Sequence, residues 1–219
     1  MRLILVAFVL FLVLPPLQCL ALRWLNPPCT ETMIMRAWIS GRETGQWSMP
    51  AQQWRTPQQM PRSVMASAMA SEDRGFLHHH GFDWPAIRRA WRHYSDEPGT
   101  KLVGGSTISQ QVSRNVFLWQ HRSWLRKGLE AWYTVWLEVL VPKERILEVY
   151  VNIAEMGPMT FGIGAASQYW FHHDAGRLTP LESAQIIALL PAPNHRTVTT
   201  PLVQRKARWI AANPVRVPW

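Results

Sequence analysis

"SEDRGFLHHHGFDWPAIRRA", residues 71–90, sets two adjacent carboxylates, Glu72 and Asp73, beside an aromatic, three histidines and a glycine. Upstream, Val64, Ala68 and Glu72 recur at i, i+4, as do Met65 and Met69, which is the period of a helix. Gly75 and Gly81 follow, so that helix is expected to end near Asp73. Both carboxylates then lie at the negative end of the macrodipole, unfavourable by about 0.3–1 kcal/mol each when exposed. Broken local rules of this kind tend to mark functional sites. The same field favours a proton-accepting carboxyl, as a general base near neutral pH requires. A hydrated helix end is the alternative, and local chemistry leaves both open. Three histidines in succession cannot all point at one ion from a regular element. His80, next to Gly81, is expected to be the one fixed in the site, with the others solvated.

Working outward, Asp83 can cap a helix starting at Trp84-Pro85, with Ile87, Trp91 and Tyr94 inward and Arg88, Arg89 and Arg92 outward. Residues 97–107 read as loop. Thr107 with Gln110 makes a capping box, predicting a helix to about Trp119, and another is expected over 123–140. Pro142 restarts the chain as "PKERILEVYVNIAE", and "MGPMTFGIG" is a turn region before a helix through Tyr169. Thr179, Pro180 and Glu182 start a further helix. Residues 24–61 show no clean period beyond a short helix near 30–40. There is no βαβ alternation and no internal repeat, so the fold class is mostly α.

The 219 residues, 47% hydrophobic, suffice for one ordinary core. Cys19 and Cys29 are too few for a disulfide framework and match no metal spacing. A net charge of +9 calls for an anionic partner: nucleic acid, anionic lipid or a phosphorylated substrate. Residues 3–14 are all apolar, and continuing through Pro15-Pro16 to Leu22 reaches about 20 residues, enough to span a bilayer. A cleaved signal peptide is the rival, but nothing near Cys19–Ala21 makes a small-x-small cleavage site. Residues 1–23 are therefore expected to be an uncleaved transmembrane anchor, with Arg2 on the cytoplasmic side and residues 24–219 outside.

Three further constellations carry charge. "GGSTISQQVSRN" (104–115) frees the backbone before a helix N-terminus, a natural anion seat, with Gln111 and Arg114 one turn apart; a plain capped helix is the alternative. In "RSWLRKGLE" (122–130), Arg126 and Lys127 share a face with Glu130. Cation-before-acid is the weaker order for a stabilising pair, worth only ~0.2–0.5 kcal/mol, so organising a charged ligand is an equal reading. "PKERILEVYVN" (142–152) puts Lys143 and Arg145 in a first turn, where the dipole disfavours cations. They would face a phosphate or headgroup, or extend into water.

Taken in order, "EDRGFLHHHG", "GGSTISQQ", "RKGLE", "KERILEVYVN", "GIGAASQYWF" and "LTPLESAQIIALLPAP" resemble the motifs of the peptidoglycan glycosyltransferase domain, glycosyltransferase family 51, over residues 60–193. With no room for a transpeptidase domain, the short monofunctional type is the nearest match. The resemblance implies a lysozyme-like helical lobe plus a smaller membrane-associated lobe. It implies that Glu72 deprotonates the acceptor 4-hydroxyl, with Asp73, Phe76 and His80 lining the same site. Ser106, Thr107, Gln111 and Arg114 would hold substrate. Arg126, Lys127 and Glu130, the last counted as catalytic with Glu72, would support the departing diphosphate, often with a divalent cation, Mg²⁺ or Mn²⁺. Glu72 and the cluster around Glu130 would then face each other across one groove. The implied partners are lipid II, the nascent glycan, the inner membrane and cell-wall synthesis or division proteins, with no nucleic acid. Residues 24–61 and the tail after Pro193 match loosely. A lysozyme-like cleaving enzyme and a membrane-tethered basic binding module are the alternatives.

Overall fold

The computed structural model describes residues 2–96, 105–121 and 123–219. Helices dominate them: α1 (Arg2–Leu22), α2 (Glu31–Thr44), α3 (Arg62–Glu72), α4 (Trp84–Asp96), α5 (Ile108–Phe117), α6 (Trp124–Leu140), α7 (Lys143–Ile153), α8 (Gly162–Phe171), α9 (Pro180–Leu189) and α10 (Pro201–Ala212). The mostly α expectation holds. Most of the loop expected at 97–107, including Gly104 of the anion seat, lies outside the described residues, as do Arg122 and the Tyr94 side chain.

The site is positioned by α3, which has no solvent face: Val64 to Ala70 are all buried. A helix that is apolar or small all round must be enclosed, and α7, α9 and α10 pack around this one. Ala66, Ser67, Ala68 and Ala70 keep its girth small, while Val64 and Met69 are fully buried among their neighbours. Burial of this kind stabilises by roughly 1.5–3 kcal/mol per large apolar side chain. As a result Glu72, the last residue of α3, emerges from the core at a fixed point. Two capping boxes expected from sequence are formed, at Thr107–Gln110 on α5 and Thr179–Glu182 on α9.

A small three-stranded sheet was not foreseen. β1 (Ala51–Gln52) pairs parallel to β3 (Thr160–Phe161), which pairs antiparallel to β2 (Glu155–Gly157). Strands this short carry no readable alternation. Asn152 of α7 fixes the passing chain, accepting from the Arg55 amide at 2.8 Å and donating to the Arg55 carbonyl at 2.8 Å. The glycines of "FGIG" are required here. Gly162 has φ of 75°, and a Cβ on Gly164 would stand 2.2 Å from the Gln53 carbonyl oxygen.

α1 runs alongside α6 in the same direction: Phe11 stacks on Trp132 at 5.6 Å, Gln18 accepts from the Tyr133 hydroxyl at 2.5 Å, and Arg23 donates to the Leu140 carbonyl at 3.3 Å. Its first fourteen residues display Leu5, Val6, Phe8 and Leu10 to the exterior. Among the described residues, however, no helix is long and apolar enough to cross a membrane, so the expected span is not established by the fold.

Other expectations need correction. Arg145 does not simply extend into water. It donates to the carbonyls of Leu22 and Leu25 at 3.0 and 2.9 Å, satisfying acceptors left bare where α1 ends. Lys143 instead pairs with Glu138 at 2.8 Å and lies 4.3 Å over the Phe76 ring. Trp91, expected inward, is 63% exposed, while Ala86, Ile87 and Ala90 of α4 are half-buried.

Candidate active site

Glu72 ends α3 and Asp73 caps it, with the Asp73 amide donating to the Met69 carbonyl at 3.0 Å. The two carboxylates then diverge. Asp73 turns inward: its Oδ2 accepts from the Ile108 amide at 3.0 Å, the first residue of α5, and lies 2.9 Å from His79 Nε2. An anionic acceptor at a helix N-terminus is favourable twice, by hydrogen bonding and by the dipole. The charge expected to be misplaced at the end of α3 is thus well placed for α5. Glu72 turns outward. Its Oε1 accepts from Ser71 Oγ at 2.7 Å and lies 3.6 Å from Lys206 Nζ of α10.

Two cavities meet at Glu72. The first, about 360 Å³, is walled by Glu72 and Asp73, by Ser106 and Thr107 ahead of α5, by Arg89 of α4 and by Trp209 of α10. The second, about 490 Å³, runs from Glu72 past Gln111 and Arg114 of α5 to Gln120, with Tyr150 and Glu155 opposite. Burial pushes the Tyr150 phenol well above its ordinary pKa, and the nearby Glu72 charge pushes the same way. It therefore stays a neutral hydroxyl across the physiological range.

The Arg126–Glu130 region has a different character. Glu130 is 1% exposed and takes Arg126 Nη1 at 2.5 Å on one oxygen and Lys127 Nζ on the other. Arg126 Nε also donates to the His121 carbonyl at 3.1 Å. Neither cavity that contains Glu72 includes Arg126, Lys127 or Glu130. His121, whose carbonyl takes Arg126 Nε, is the chain neighbour of Gln120, which lines the second cavity.

The transglycosylase family model matches residues 40–214. The chain belongs to the transglycosylase family. It is 46% identical over 96% of its length to a biosynthetic peptidoglycan transglycosylase of Xanthomonas oryzae, covering 86% of that protein. Identity to the protein of that name from Pseudomonas aeruginosa is 46%, covering 86% of this chain and 81% of the relative, and to that of Xylella fastidiosa 42%, covering 95% and 86%. The monofunctional type of glycosyltransferase family 51 is thereby the one this chain represents.

Against that family frame, the structure brings Glu72, Asp73, Ser106, Thr107, Gln111 and Arg114 together around the paired cavities. It does not bring Phe76 there. That ring is fully buried in the core, beneath Lys143. His80 is exposed, and His79 is the fixed histidine. The cause is the tight turn after Gly75, to whose carbonyl the His78 and His79 amides donate at 2.8 and 3.2 Å. That turn brings the ring six residues after Asp73 back onto it. Thr107 is held from both sides, its hydroxyl donating to the Gly81 carbonyl at 2.7 Å and accepting from the Gln110 amide. Sequence reasoning missed Lys206, Trp209, Arg89 and Tyr150. A signal existed for α10, where Val203, Ala207 and Ile210 keep helical spacing after Pro201.

Proposed function

We propose that Glu72 is the general base of glycan-chain polymerisation, with the acceptor sugar in the first cavity and the lipid-diphosphate-linked glycan in the second. The chain is a peptidoglycan glycosyltransferase that extends glycan from lipid-linked precursor, the activity that the names of its relatives denote. The observation that carries the assignment is the carboxylate common to both cavities. A base there reaches a hydroxyl presented from one side and a reacting carbon presented from the other.

In this reading the acceptor 4-hydroxyl gives its proton to Glu72 as its oxygen bonds to C1 of the donor. The C1–O bond to the diphosphate breaks, the diphosphate leaves with the electron pair, and an α linkage becomes β-1,4. Gln111 and Arg114 lie along the donor side, and in this reading the Arg126–Lys127 pair held on Glu130 supplies positive charge for the departing group. Glu130 is the anchor that holds those cations, which supports assigning it an organising role. Among the described residues no group of three or more His, Cys, Asp or Glu side chains is arranged to hold a metal ion. The family resemblance brings a divalent cation, Mg²⁺ or Mn²⁺, bound with the substrate diphosphate, and none of the steps above passes through it.

Peptidoglycan synthesis takes place on the periplasmic side of the envelope, where lipid II and the nascent glycan are the substrates. The exposed apolar residues of α1 and the net charge of +9 support a further reading: α1 holds the chain at the inner membrane in a single pass, among cell-wall synthesis or division proteins. The test is incubation of the full chain with lipid-linked disaccharide-peptide precursor, with and without chelator. Polymer is expected from the native protein and none from Glu72→Gln at unchanged fold. Polymer from Glu72→Gln at the native rate would remove Glu72 from the role. Release of soluble muropeptides from sacculi, without polymer, would mark a cleaving enzyme.

A further inference from the structure

The C-terminal helix α10 enters the site at two places. Val203, Ala207 and Ile210 bury one of its faces against α9 and α3. That packing sets Lys206 at the end of α3, with its Nζ 3.6 Å from Glu72 Oε1 and its side chain 30% exposed. The next turn puts Trp209 in the wall of the first cavity, beneath the Arg74 guanidinium at 5.4 Å. Arg74 also donates to the Asn213 carbonyl at 3.4 Å, so α10 is tied to the residues that follow Glu72. At 3.6 Å the ammonium and carboxylate attract without sharing a proton, leaving the Glu72 lone pairs for a hydroxyl.

We infer that Lys206 is a positioning residue for the polymerisation reaction: its charge holds the Glu72 carboxylate toward the junction of the two cavities. The need for such a charge follows from the surroundings. Glu72 sits at the negative end of α3, which disfavours its anion. Asp73 adjoins it in the chain, Glu155 lines the second cavity and Asp83 the first. Tyr150 faces it as a neutral phenol. Arg114 of α5, Arg74 and Arg89 of α4 line the same two cavities. Lys206 stands within ion-pair range of the carboxylate itself, at 3.6 Å. An opposite charge at this range favours the ionised form. Removing it withdraws that support, and base catalysis weakens from the acid side first.

The inference rests on Glu72 being the base, and the experiment separates the two. Polymerisation rates of the full chain and of Lys206→Met, Lys206→Gln and Lys206→Arg are measured from pH 5 to 9, with the folded fraction of each followed by circular dichroism. The neutral variants should move the acid limb of kcat/KM upward by roughly one pH unit, a loss of up to about tenfold on that limb. Little loss is expected at pH 9, and Lys206→Arg should restore the native profile. In parallel, the Glu72 carboxyl is titrated by carbon-13 NMR in native protein and Lys206→Met, and its midpoint should rise with the loss of the cation. A rate lowered equally at every pH, or an unmoved Glu72 midpoint, overturns the role of Lys206. Native activity in Glu72→Gln overturns the base instead, and the NMR arm still decides whether Lys206 controls Glu72.

Discussion

Glu72 and Glu130 both sit on helices among cations, yet the molecule treats them in opposite ways. Glu130 is sealed, each oxygen taken by a cation from the same face of α6. Glu72 has a serine hydroxyl, one ammonium at 3.6 Å and open space on two sides. A buried carboxylate with a cation on each oxygen holds other groups in place, whereas one facing open space can take up a proton. The contrast assigns organisation to α6 and chemistry to the end of α3.

Each of four substitutions bears on that contrast. Glu72→Gln should lower polymerisation by about 10²–10⁴-fold while leaving the urea midpoint within error; a large stability loss would place Glu72 with Glu130 as a structural group. Glu130→Ala leaves the buried Arg126 without its anion, and should lower unfolding free energy by about 3–5 kcal/mol. Equilibrium urea unfolding checks this, and a change below about 1 kcal/mol would show the pair to be solvated rather than sealed. Asp73→Ala strips the Ile108 amide and His79 of their acceptor and should lose about 1–3 kcal/mol by the same measurement. Lys127 is 42% exposed, so Lys127→Ala should change stability by only about 0–1 kcal/mol. Its effect should appear instead in polymerisation rate; a stability loss as large as that of Glu130→Ala would mean that both cations are structural.

The sequence made one side of this contrast readable. Helical spacing up to Glu72, the glycines after it and the box at Thr107–Gln110 fixed where α3 stops and α5 starts, and these two ends build the site. The divergence of Glu72 from Asp73 could not be read, because it depends on α5 presenting a bare amide from 35 residues away. The histidine was misplaced by one position for a related reason: spacing along the chain does not reveal a turn closed on Gly75. Phe76 was assigned to the site by the family motif alone, yet its ring serves the core. Lys206 lay in a tail that matched its family loosely, and only tertiary packing of Val203, Ala207 and Ile210 brings it to Glu72. The cations of "PKERILEVYVN" were legible as misplaced charges, but their partners, a helix end and a buried glutamate, lie outside any local window.

The seam between α1 and α6 has a mechanical corollary. Because Phe11, Gln18 and Arg23 are each tied to α6, and Arg145 grips the carbonyls where α1 finishes, no slack tether separates the leading helix from the catalytic body. Whatever surface holds that helix also dictates the tilt of the reaction chamber and the direction in which a lengthening polymer must emerge.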